Sequence, residues 1–493
     1  MDINLDHLGS VDEIGEVVVA KFGGASMSNM HEVAAVIRSL QRRGHRVIAV
    51  CSALEGMTDT LKGLGERAAH PEWPDEWEKK VWKIKNPFLQ PHLDLLHKLL
   101  PLPHRTEKYL RDLLDTGSGQ LRRNLESIND VGEFSQTIHG KVLGNGELSS
   151  TPMLAGLLGD HALYEHSRKH FITDRNGRLL PDLTYPLLRL LFDDWTHDDP
   201  NRALILAGYV GKSPDGLLTV TDRGGTDTWA VHTGIALKSR GVKTVLLFKR
   251  GPGGIESADY RIVKGTRTYI WVTIEELDEL VNGGAKVVAP TAVSAALDED
   301  IRIWVGTSEL PQNPGTWILR NAPHTTNHTL RMVTAQKGLT LFGVTPCEGT
   351  RVGGKVFGAL DQARIEYQIV SGVRNMRQMG FTTHTIDAPR TRALIDETLQ
   401  IEVFQNRVVI QQRDGMALIS GIGECMAGHQ GVSARFYDGI AMGQANVVVQ
   451  VQCPNERLIT VVVIEDEVAG ALQGVHEAFA LDFPSGDTHD ITH

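Results

Sequence analysis

The chain has 493 residues, a formal net charge of −10, and 41% hydrophobic and 22% charged residues. The length predicts two to four domains and the composition an ordinary globular protein. The negative charge argues against broad binding to nucleic acid or to an acidic membrane, so an anionic ligand must meet a locally basic site. The four cysteines, Cys51, Cys347, Cys425 and Cys453, lie far apart without CxxC spacing, which fits reduced thiols in a cytoplasmic protein. No apolar run is long enough to span a bilayer. The acidic opening "MDINLDHLGSVDEIGE" lacks the apolar core of a signal peptide, and residues 1–15 are expected to form a loose extension.

In chain order, "VVVAKFGGASM" (17–27) is an apolar run stopped by glycines, the pattern of a buried strand. "HEVAAVIRSLQRRG" follows with helical spacing and a glycine suited to its C-terminus. Further strands are expected at 45–54, 202–211, 242–249 and 301–308, with helical segments such as "WAVHTGIALKSRG" and "TIEELDELVNGGAK" between them. This alternation predicts an α/β fold with a largely parallel sheet, whose ligands gather at the carboxyl ends of the strands. Residues 70–135 are more polar and read as a helical insertion. Within it, His92 and His97 are expected to be ordinary surface histidines, because a spacing of five leaves them off one helical face. Beyond residue 330 the order becomes strand, helix, strand, strand, helix, and is repeated, which predicts two tandem βαββαβ-like units near 331–408 and 414–484.

Four stretches carry candidate chemistry. Lys21 stands where a strand enters the Gly23–Gly24 turn, with Ser26 in the helix start. Backbone N–H groups there can approach an anion, although a strand-end lysine in solvent would look the same. "TDRGGTDTWAVHTGIAL" sets Arg223 and Asp227 around Gly224 and Gly225 at another helix start. Arg223 suits a carboxylate and Asp227 a lysine, a metal ion or an amine; the alternative is a helix cap beside a solvated arginine. "GNGELSSTPMLAGLLG" brings Glu147 into a helix among small residues, as an ammonium site or a capping glutamate. Lys286 in "NGGAKVVAP" could reach a phosphate or lie in solvent.

The ordered set "KFGGASM", "CSALEGMTDTL", "GELSS", "AGYVG", "DRGGTD", "GGIESADYRIV" and "GGAKVVAP" resembles an aspartate kinase of the amino acid kinase superfamily, over about residues 17–310. The tail's two units resemble the tandem ACT regulatory domains of that family. The resemblance implies an open, mainly parallel sheet sandwiched by helices at 16–312, with its helical insertion near 70–135. ACT-type α+β domains at 331–408 and 414–484 and a tail at 485–493 would follow. It implies ATP-dependent phosphorylation of the aspartate side-chain carboxylate to 4-phospho-L-aspartate, on the route to lysine, threonine and methionine, under amino-acid control. A kinase of another amino acid or carboxylate in a specialised pathway, or a catalytically silent regulatory subunit, are the alternatives.

By the same resemblance, Lys21 and Asp227 are catalytic, and Ser52, Thr58, Glu147 and Arg223 hold the substrate. The phosphates or nucleotide fall to Lys21, Gly23, Gly24, Ser26, Gly224, Gly225, Arg261 and Lys286. ATP and Mg²⁺ are implied, with no metal-ligand set assigned to the protein itself. A homodimer or higher homo-oligomer and an amino-acid effector at the ACT units are expected, without nucleic-acid or membrane partners. Departures cluster in "LFKRGPGGIESADYR", where Lys249–Arg250 replace the usual aspartate region, Glu256 a tyrosine and Tyr260 a proline; Asp222 replaces the glycine before RGG.

Overall fold

A computed structural model describes residues 5–70, 86–199, 201–221, 224–251, 253–285, 287–309, 313–322, 329–347, 350–372, 379–482 and 491–492. The chain divides into two compact units, Met1–Ile255 with Val288–Leu319, and Glu256–Val287 with Arg320–His493.

The first unit is built on strands β1 (Val17–Phe22), β2 (Arg46–Cys51), β3 (Ala162–Glu165), β4 (Ala203–Ala207), β5 (Val242–Lys249), β6 (Arg302–Thr307) and β7 (Thr316–Leu319). They lie in the order β7-β6-β5-β1-β2-β4-β3, and every neighbouring pair is parallel except β6 with β7. The central strands are nearly continuous in apolar residues because both faces are covered, as parallel sheets require. Helix Met30–Arg42 buries Val33, Val36, Ile37 and Leu40 on one face, at helical spacing. Helix Gly225–Ala236 is buried almost throughout. Three of the five strands read from the sequence match to within two residues; the one expected at 45–54 ends at Cys51, and the one expected at 202–211 ends at Ala207, with a separate short strand at Val210–Lys212.

Two expectations are corrected here. Residues 5–14 are not loose: Ser10 and Glu13 cap a short helix reciprocally, and Leu5, Leu8 and Ile14 are buried in the same core as Val18 and Val36. Short apolar residues spaced within an acidic stretch were enough to dock it. The insertion is helical, at Leu89–Leu99 and His104–Val131, but His92 is not a surface residue. It is fully buried beside Phe88, its Nδ1 lies 2.7 Å from the Phe88 carbonyl, and burial pushes its pKa down to about 4. Among the described residues no group of three or more His, Cys, Asp or Glu could hold a metal ion.

The second unit contains strands β8 (Met332–Pro346), β9 (Tyr367–Gly372), β10 (Met379–His384), β11 (Val408–Ile422), β12 (Val449–Gln452) and β13 (Leu458–Ile464). They form an antiparallel sheet in the order β9-β10-β8-β11-β13-β12. The two long strands each serve two modules. Leu339–Pro346 and Val408–Arg413 join β9, β10 and helices Gly353–Gln362 and Ala388–Thr398 in one module, around Phe342, Phe381 and Ile395. Met416–Ile422 joins β12, β13 and helices Val432–Met442 and Val468–Ala478 in the other, around Ile419, Phe436 and Leu472.

The strand that completes this second module is Met332–Gln336, paired antiparallel with Leu418–Ile422. These residues fall inside the 331–408 segment expected from the sequence. The first module is therefore inserted between the pieces of the second. Gly338 (φ 72°) and Gly415 (φ 68°) mark the crossing points, where a left-handed turn of the backbone suits glycine.

Near this seam the second unit buries an ion pair. Arg331 Nη1 lies 2.6 Å from Glu276 Oε2, with both side chains only 2% exposed. The guanidinium carbon is 4.4 Å from the Tyr269 ring centre and 4.2 Å from that of Trp271, and Nη2 donates to the Trp271 carbonyl. Among the described residues no helix is long and apolar enough to cross a membrane.

Candidate active site

The carboxyl ends of three adjacent parallel strands supply the site of the first unit. Lys21 is the fifth residue of β1, Lys249 is the last residue of β5, and Ser52 follows β2 directly. In the pairing of β1 with β5, Phe22 stands opposite Phe248, so the two lysines emerge at the same end of the sheet. Their aromatic neighbours stack, with ring centres 5.0 Å apart, and fix the floor beneath them.

Asp227 comes from the first turn of helix Gly225–Ala236 and is buried. Its Oδ1 lies 2.7 Å from Lys21 Nζ and its Oδ2 2.9 Å from Lys249 Nζ. Burial alone would raise the Asp227 pKa; the charges of Lys21 and then Lys249 outweigh it and hold the carboxyl at about 2. Burial pushes the Lys249 ammonium down, against the pull of Asp227. Lys249 remains 23% exposed on its side chain, so it also faces solvent. Two ammonium groups share one carboxylate, which leaves the cluster one positive charge in excess. At a helix N-terminus that excess is a receptor for an anion.

Glycines make this arrangement fit. Gly224, with φ 86°, starts the Asp227 helix. A Cβ on Gly225 would fall 1.6 Å from Thr221 Oγ1. On the Lys21 side, a Cβ on Gly23 would stand 3.1 Å from Lys21 Nζ, and one on Gly24 would stand 3.2 Å from the Ala53 carbonyl oxygen. Gly23 and Gly24 thus let the turn after β1 lie against both the lysine and the loop after β2. Ser26 is buried and accepts from Ser308 Oγ at 2.8 Å.

Ser52 Oγ lies 2.9 Å from Thr226 Oγ1, which ties the β2 loop to the helix carrying Asp227. Ser52 and Thr58 line a cavity of about 280 Å³ with Gly24, Ala25, Ala53, Leu54, Glu55, Gly56 and Asp59. Arg250 reaches Glu55 at this cavity, Nη1 to Oε1 2.6 Å, with both side chains more than half exposed.

Glu147, in the first turn of helix Asn145–Leu158, packs behind the same loop. A Cβ on Gly146 would be 2.7 Å from Ala53 Cβ, and Ser150 Oγ donates to the Ser52 carbonyl at 2.9 Å. Glu147 is 2% exposed and its Oε2 has no hydrogen-bond partner. Burial raises its pKa to about 8, against the lowering effect of backbone N–H groups, so at neutral pH it carries a proton. A buried, protonated carboxyl with an unused oxygen is out of place in a structural core and suits a cationic group still to arrive.

Of the residues singled out in the sequence, Lys21, Gly23, Gly24, Ser26, Ser52, Thr58, Glu147, Gly224, Gly225 and Asp227 all belong to the first unit. Arg223 and Lys286 lie outside the described residues. Arg261 belongs to the second unit, where its Nε and Nη2 are held by the two oxygens of Asp259 at 2.9 and 2.7 Å. Lys249 is a partner of Asp227 that the sequence motifs do not name, although "VLLFKRGPGG" repeats the plan of "VVVAKFGGAS", an apolar run that ends in a lysine before glycines.

Comparison with known proteins bears on this site. A model of the Amino acid kinase family matches residues 16–307, and a model of an ACT domain matches residues 419–479. Aspartokinase 1, chloroplastic, of Arabidopsis thaliana is 27% identical over 508 aligned residues, covering 99% of this chain and 84% of that protein. Aspartokinase 2 of Bacillus subtilis is 25% identical, covering 94% of this chain and 98% of that protein. In structure, the chain is similar to Escherichia coli aspartokinase III in complex with aspartate and ADP, with a TM-score of 0.76 at 22% identity over 94% of this chain and 100% of that one.

Proposed function

Because this chain belongs to the amino acid kinase family, we propose that it transfers the γ-phosphoryl group of ATP to the side-chain carboxylate of aspartate, giving 4-phospho-L-aspartate and ADP. The observation that carries the reading is the Lys21–Asp227–Lys249 cluster at the strand ends. Similarity over nearly the whole chain to aspartokinases supports it.

The chemistry matches the residues. An ionised carboxylate is already a nucleophile at neutral pH, so no general base is needed. One of its oxygens attacks the γ-phosphorus, and the bond from that phosphorus to the β–γ bridging oxygen breaks as ADP departs. The obstacle is the mutual repulsion of two anions, and catalysis is mostly positioning and charge neutralisation. Lys21 and Lys249 would meet the transferred phosphoryl group, while Asp227 keeps both ammonium groups charged and aimed. Ser52, Thr58 and the N–H groups after Gly23 and Gly24 would line the acceptor and phosphate path. Glu147 would yield its proton and take the substrate ammonium, and Arg223 would take the α-carboxylate. Gly224, Gly225, Ser26, Lys286 and Arg261 are assigned to the nucleotide side.

Both Asp227 oxygens are engaged by lysines, and the described residues hold no metal-binding cluster of their own. Mg²⁺ would therefore enter with the nucleotide phosphates rather than in a protein-built cage, neutralising part of their charge. An amino-acid effector in the second unit, a homodimer and a cytoplasmic location complete the proposal. The test is hydroxamate formation from aspartate, Mg·ATP and hydroxylamine. Product that disappears in Lys21→Ala supports the assignment. Product from glutamate but not aspartate would move the acceptor, and none from any acid would overturn the kinase reading.

A further inference from the structure

We propose that a second site in the first unit, a basic groove beside the hairpin of residues 210–220, binds a small multivalent anion carrying phosphate groups. The groove has a volume of about 1020 Å³ and shares no lining residue with the cavity at Ser52 and Thr58. Among the described residues, Lys141, Arg168, Lys169, Arg175 and Lys212 line it against a single carboxylate, Asp215. This concentration of positive charge runs against a chain whose formal net charge is −10.

The cations are unevenly committed. Arg175 pairs with Asp215 at 2.7 Å, and Lys169 with Glu165 at 2.7 Å. Both lysine and arginine in these pairs are well exposed, and such surface pairs contribute little and yield to a better anion. Lys141, Arg168 and Lys212 have no carboxylate within ion-pair distance among the described residues.

The scaffold beneath them is close-packed. Gly140 meets the hairpin so tightly that a Cβ would fall 2.1 Å from the Leu218 carbonyl oxygen. Lys212 exchanges backbone hydrogen bonds with Phe171 and Thr173, just after the turn that carries Arg168. The backbone that carries these side chains is therefore firmly placed around a concave space of ligand size. A single monovalent anion would leave most of them unanswered, whereas an oligophosphate presents several oxygens and charges at once. The concave shape and the acidic whole favour a small molecule over a nucleic acid strand.

Calorimetric titration of the full chain with inorganic triphosphate tests this, with inorganic phosphate and citrate as comparison anions. The expected result is triphosphate binding that survives in Lys21→Ala, weakens steeply with added salt, and falls by at least about ten-fold in Arg168→Glu/Lys212→Glu. Lys141→Ser/Arg168→Ser, altered only at exposed positions, should weaken it in the same direction and guards against misfolding of the first variant. Phosphate and citrate should both bind more weakly than triphosphate. The proposal falls if the folded groove variants bind triphosphate like the parent, if Lys21→Ala alone abolishes binding, or if citrate binds as well as triphosphate.

Discussion

Lys249 Nζ stands 2.9 Å from Asp227 Oδ2, on a carboxylate whose other oxygen is taken by Lys21 at 2.7 Å. One aspartate thus organises two ammonium groups from neighbouring strands. Removing the carboxylate would leave a buried ammonium group and a part-buried one facing each other.

Lys21→Met should lower kcat by ~10²–10³, the loss typical of one charge-stabilising contact. Lys249→Met should also lower kcat, with less effect on the KM for aspartate than on turnover. Initial rates in the hydroxamate assay check both. A Lys249→Met enzyme with parental kcat would remove Lys249 from the phosphoryl path.

Acid should destabilise the first unit through Asp227. Its folded pKa, about 2, lies below the ordinary 3.8, so its contribution is complete above 3.8 and is lost as pH falls toward 2. The difference corresponds to roughly 2 kcal/mol. Urea denaturation of the parent between pH 5 and pH 2 should show this loss. Asp227→Asn should show a flatter pH dependence from a lower starting stability.

Glu147 titrates in the opposite sense. Below its ordinary 4.5 both folded and unfolded forms hold the proton; between 4.5 and about 8 only the folded form does, so stability falls as pH rises through that window. Glu147→Gln should abolish this slope. If the substrate ammonium converts Glu147 to its carboxylate, aspartate binding at pH 7 should release close to one proton. Calorimetry in buffers of different ionisation enthalpy measures the release, which Glu147→Gln should eliminate.

In the second unit, Glu276→Ala would leave the Arg331 guanidinium buried between Tyr269 and Trp271 without its counter-charge. Breaking such a pair from one side costs about 3–5 kcal/mol. Denaturation followed by tryptophan fluorescence should register the loss. The double variant Arg331→Met/Glu276→Leu should recover much of it, because no buried charge then remains unpaired.

Much of the site was legible before the fold was known, because its parts sit where apolar runs stop at glycines. "VVVAKFGG" and "DRGGTD" announce strand end and helix start by composition alone. Lys249 carries the same signal at the end of the strand expected at 242–249, but nothing local to it shows that its ammonium group meets Asp227, which is 22 residues earlier in the chain. The short strands Ala162–Glu165 and Thr316–Leu319 are not legible in the sequence, because four residues are too few to show a period. The burial of His92 and of Leu5, Leu8 and Ile14 depends on partners distant in sequence, which local spacing does not reveal. The pairing of Met332–Gln336 is of the same kind: a period of two looks identical whichever neighbour the strand chooses.

That pairing also sets an order of events during synthesis. Met332–Gln336 leaves the ribosome before any of the inserted module, yet its partner, Leu418–Ile422, comes only after that module is complete. The early strand must wait unpaired while the insertion folds, and the later module closes around it last. A fragment beginning after Gly338 would carry the whole inserted module but would leave β11 with an open edge, ready to accept the corresponding strand of another chain.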